Sequence, residues 1–87
     1  MVTKIEIKDI EFGGAATYRI VVKGVLEDHW SARLAGMTIS VAESESGSSH
    51  TTLVGPLRDQ AQLNGVLEIL YDLHLPILRV EEVGGEA

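Results

Sequence analysis

Any chemistry this chain performs must be built from few side chains: three histidines, the arginines, an acidic serine-rich stretch and one tryptophan. His29, His50 and His74 make neither an H-x₃-H nor an H-E-x-x-H spacing, and they fall in three different segments. A metal centre needs several convergent ligands, and with no cysteine there is no thiolate to help, so no metal site is expected. Arg19, Arg58 and Arg79 could converge. Arg58, just before a helix start, would then make a small anion site with the helix N-terminus. The competing reading pairs each arginine with one of thirteen acids. The stretch Glu43–Ser49, E-S-E-S-G-S-S, lacks the lysine and the following helix of a phosphate loop and reads as a solvated hairpin tip. No cofactor is implied. Trp30, between His29 and Ser31, reads as a core plug, with the wall of a ligand pocket or a subunit contact as its functional alternatives. No acid and base are paired at catalytic spacing, so no catalytic residue is assigned.

These side chains must be positioned by one small domain spanning residues 1–87. A chain this short is marginal alone and has no disulfide to staple it. Its 45% hydrophobic content is mostly aliphatic, the aromatics being Phe12, Tyr18, Trp30 and Tyr71. Self-association into a dimer or larger homo-oligomer is therefore expected. A formal charge of −6 argues against nucleic acid and anionic membranes as partners. There is neither a signal-peptide run nor a stretch near membrane-span length, and a cytoplasmic location follows as the default.

The strongest element is a helix in the C-terminal third. Asp59 can cap it, with Gln62 closing a capping box. Leu63, Val66, Leu67, Leu70 and Leu73 form one apolar stripe, and Pro76 stops the helix near Leu73 or His74. Ile77, Leu78 and Val80 then make a short strand. The opposite side of the helix carries Ala61 and Gly65. Glycine costs a helix interior about 0.8–1 kcal/mol against alanine, which would be explained by another backbone packing there, within the fold or between subunits. Upstream, Thr17–Leu26 is a strand with Tyr18, Ile20 and Val22 on one face. Glu27–Gly36 reads as a short helix, capped by Asp28, with Trp30, Leu34 and Ala35 turned inward. Met37–Ala42 and His50–Val54 are further strands, the latter ended by Gly55-Pro56. Residues 1–14 read as an edge strand in a hairpin with the next segment, or as an arm reaching another subunit. Within them the alternation breaks at Lys8–Asp9, and Gly13-Gly14 signals a turn. Residues 84–87 form a tail.

The expected fold is α+β: a mainly antiparallel sheet of four to five strands with one long helix on one face. Its order, β-α-β-β-α-β with an abbreviated first helix plus an extra N-terminal strand, is the ferredoxin-like pattern. The alternative is a β-meander followed by helix and strand.

Several stretches resemble a group of short uncharacterised bacterial proteins: Tyr18–Gly24 with its Y-R-I, Trp30-Ser31, Gly55-Pro56 leading into Asp59-Gln60-Ala61, and Leu75-Pro76-Ile77-Leu78. The resemblance covers residues 17–83 and implies no activity. His74 stands where that pattern has a glycine helix stop, and Asn64 where it has histidine. The function expected from the residues is a small, non-enzymatic self-associating or protein-interaction module. The alternatives are a small-ligand-sensing regulatory domain and a small enzyme with a pocket near Trp30. The candidate ligand or interface residues are Trp30, Arg19, Arg58, Ala61 and Gly65.

Overall fold

The computed structural model describes residues 6–8 and 16–83. Its elements, in order, are β1 (Glu6–Lys8), β2 (Ala16–Lys23), a 3-10 helix η1 (Asp28–Leu34), β3 (Thr38–Glu43), β4 (Ser49–Leu57), α1 (Gln60–Asp72) and β5 (Ile77–Glu82). The fold is α+β. Four strands form an open antiparallel sheet in the order β5-β2-β4-β3, and β1 lies parallel to β5 at the outer side. This order is not sequential, so the meander alternative is excluded.

Alternation in β2 turns Ala16, Tyr18, Ile20 and Val22 to one face, where all are buried. Beside them on β4 are Thr51, Leu53, Gly55 and Leu57. The helix lays Leu63, Val66 and Leu70 on this layer, all buried. Each such side chain removed from water is worth roughly 1.5–3 kcal/mol. Leu67 and Leu73 of the expected stripe sit at its half-buried margin. Asp59 caps α1, its Oδ1 accepting from the Gln62 N–H at 2.9 Å. Gln62 reciprocates one residue earlier than a capping box requires, its Oε1 accepting from the Arg58 N–H at 2.8 Å. At the other end His74 takes the left-handed conformation, φ 61°, the position where glycine was expected.

Three sequence expectations need correction, and the C-terminal strand, present as expected, carries a bulge. Gly55-Pro56 does not end β4, which runs on to Leu57 with Pro56 opposite Thr17. β3 reaches only as far as Val54, so Pro56 lies on an open edge, where its missing N–H removes no ladder bond. Ile77 and Val80 are both buried although they are three apart. The register slips between Val21 and Val22, which pair with Arg79 and Ile77, and that bulge returns Ile77 to the core face. The short helix is a 3-10 segment preceded by Glu27, which makes no side-chain cap, so Asp28 is not its cap. Finally, Glu6–Lys8 pairs with β5, Ile7 opposite Val80, instead of making a hairpin with β2. The expected break at Lys8–Asp9, the Gly13-Gly14 turn and the 84–87 tail lie outside the described residues.

Candidate functional site

Two surfaces stand out: a cleft beside Trp30 and the outer edge of β3. The cleft lies where β2 ends, α1 ends and β5 begins. After Lys23, Gly24 turns the chain at φ 106°. Thr51, fully buried on β4, fixes the turn: its Oγ1 donates to Gly24 O at 2.8 Å and accepts from the Leu26 N–H at 3.1 Å. That leaves Val25 57% exposed and delivers the chain to η1. Ser31 closes the far side, its hydroxyl donating to Met37 O at 2.7 Å. Trp30 is thereby held half-buried against the core, with the Arg33 guanidinium 5.4 Å from its ring centroid and the His29 ring 5.6 Å away.

Trp30 walls a cavity of about 320 Å³ with Val25, Leu26, Glu27, Leu73 and Leu75. A second cavity of about 370 Å³ shares Leu75 and is bounded by Tyr71, Asp72, His74 and Pro76. Tyr71 is 76% exposed. Glu27 faces His29, Oε1 to Nδ1 at 3.3 Å. The Trp30 cavity is walled by apolar side chains and Glu27 but exposes polar and apolar surface in about equal parts. The neighbouring cavity adds Asp72, and both fall within the size range of small-molecule sites. Among the described residues no group of three or more histidines or acids is placed to hold a metal ion.

The arginines divide. Arg19 grips Glu81 through Nε and Nη2 at 2.6 and 2.5 Å, and Arg79 Nη1 stands 3.9 Å from the same carboxylate. Arg58 lies instead beside Asp59, 3.9 Å away. Ala61 and Gly65 are on the exposed side of α1, and a Cβ built at Gly65 meets nothing within 4 Å. No neighbouring backbone within the described fold explains that glycine. The close approach is at Gly55, whose Cβ would stand 3.0 Å from Met37 Cα. His50 opens onto the face away from α1, its Nδ1 buried without a hydrogen-bond partner among the described residues.

The β3 edge was not singled out in the sequence. β3 is the terminal strand of the sheet, and all its residues but Ile39 are exposed, Val41 at 47%. At the hairpin tip the Ser44 N–H donates to Ser48 O at 2.7 Å and the Gly47 N–H to Ser44 O at 3.0 Å. On β4's other side the Gly24 N–H donates to Ser49 O at 2.8 Å. Antiparallel pairs alternate between bonded and non-bonded. Counting from Ser44–Ser48, the bonded pairs are Ala42–His50, Ser40–Thr52 and Thr38–Val54, in the observed register. The N–H and C=O groups of Ile39, Val41 and Glu43 therefore face outward from the sheet.

The chain belongs to a family defined by a domain of unknown function, DUF8691, whose family model matches residues 17–81. No curated protein and no solved structure matches the chain. The DUF8691 span runs from β2 into β5, so it contains the Trp30 cleft and the β3 edge but not β1. No helix among the described residues is long and apolar enough to cross a membrane.

Proposed function

We propose that this chain is a small self-associating interaction module of ferredoxin-like architecture. The fold reading rests on the order β5-β2-β4-β3 with α1 crossing between β4 and β5. η1 stands where that architecture has its first helix, and β1 is an addition outside it. The functional reading is carried by one observation: β3 ends the sheet as a six-residue strand without proline or lysine, and such an edge is a template for another strand. Sedimentation of the full chain across a wide concentration range tests this. A mass rising to a discrete multiple of the 9.4 kDa chain is expected, and a monomer at every concentration would refute it.

The cleft favours a second reading, a small-ligand site. Trp30 is the only tryptophan and walls the cavity, so an occupying ligand would shift its emission and raise the melting temperature by mass action. A screen of neutral and cationic aromatic compounds that moves neither would refute this reading.

A further inference from the structure

We infer that the partner at the β3 edge is a second copy of β3, paired antiparallel about a two-fold axis at Val41. This rests on the self-association reading and adds the site and the register. The outward-facing backbone groups belong to Ile39, Val41 and Glu43, spaced evenly about Val41. Turning a second copy about that residue sets Val41 against its own copy and Ile39 against the other chain's Glu43. Each of these pairs exchanges two hydrogen bonds, roughly six in all, so every outward donor on the strand meets an acceptor. Centring on Ser40 instead would leave Glu43 opposite Met37, whose N–H is already given to Leu34 O at 3.1 Å.

The side chains agree with this register. Residues brought opposite each other share a face of the sheet, so the helix-bearing sides of the two copies remain on one side. Glu43, the only charged residue in β3, comes opposite an isoleucine and not its own copy. The acids of the hairpin tip, Glu43 and Glu45, come alongside the start of the other β3, which η1 precedes with Arg33 in its last turn. In that register the acidic tip of one copy meets the η1 end that carries Arg33 in the other, the Arg33 guanidinium resting 5.4 Å from the Trp30 ring. That complementarity favours a second copy over an unrelated strand.

Cysteine scanning tests the register cleanly because the chain has no cysteine of its own. Val41→Cys, Ser40→Cys and Thr38→Cys are each oxidised mildly at concentrations where the unmodified chain associates. Val41 and its copy would have Cα atoms about 5.5 Å apart, inside disulfide range. Thr38 would stand about 20 Å from its own copy. Val41→Cys is expected to cross-link at least tenfold faster than either other variant. Fastest cross-linking at Ser40→Cys would overturn the register. Association by mass with no preference among the three would overturn β3 pairing while leaving self-association standing. A chain that stays monomeric in sedimentation would overturn both.

Discussion

Thr51 shows how much one residue carries. Its hydroxyl satisfies both the Gly24 carbonyl and the Leu26 N–H inside the core. Valine has nearly the same shape but leaves both backbone groups unpaired, and each buried orphan costs about 1–3 kcal/mol. Thr51→Val should lower unfolding free energy by that order in urea titration and loosen the turn that presents Val25 and Trp30. Tyr18 makes a second residue-scale prediction. Burial, and secondarily the Glu82 carboxylate, push its hydroxyl above the ordinary 10.0. The native state then holds the phenolic proton more tightly than the unfolded chain does. This contribution is complete below pH 10, and stability falls as pH rises from there through the raised native value. Tyr18→Phe should flatten that alkaline fall in pH-dependent denaturation; an identical slope in both proteins would contradict it.

At the scale of elements, the two glycines of interest should behave oppositely. A methyl group at Gly55 meets the backbone of fully buried Met37, and crowding in a packed core costs typically about 1–3 kcal/mol. Gly65 faces open space on a helix, so Gly65→Ala should stabilise by up to about 1 kcal/mol. Thermal melts of the two variants moving in opposite directions would confirm the pair, and a destabilised Gly65→Ala would point to a contact with another chain. The helix was legible because Asp59, the leucine stripe and Pro76 are local signals on one segment. The strands were legible from alternation, but their ends were not. Whether Pro56 stops a strand depends on how far β3 reaches beside it, and no local signal carries that. The bulge at Leu78 was hidden for the same reason, since it is defined by its partner, β2. Trp30 was flagged by residue type, yet most of its cleft comes from Val25, Leu73 and Leu75, ordinary aliphatics brought together only by the fold. The β3 edge was missed because exposure of an edge depends on strand order.

At the scale of the whole molecule, one sheet face is covered by α1 while β3 keeps a row of outward-facing donors and acceptors. A long uncovered edge either pairs or is blocked, and this one carries neither proline nor lysine. Arg33 rests against the Trp30 ring and leads into the start of β3, so occupancy of the Trp30 cleft and pairing through β3 should influence each other. In the proposed pairing the η1 of one copy lies beside the other's hairpin-tip acids, so Arg33→Glu should weaken association several-fold at low salt and less at high salt. Sedimentation at two ionic strengths checks this. The most direct test is residue-resolved amide exchange at high and low protein concentration. The Ile39, Val41 and Glu43 amides should be protected when concentrated and lose that protection on dilution, while those of Ser40 and Ala42, facing β4, stay protected throughout. Rapid exchange at Ile39, Val41 and Glu43 at every concentration would contradict pairing through β3.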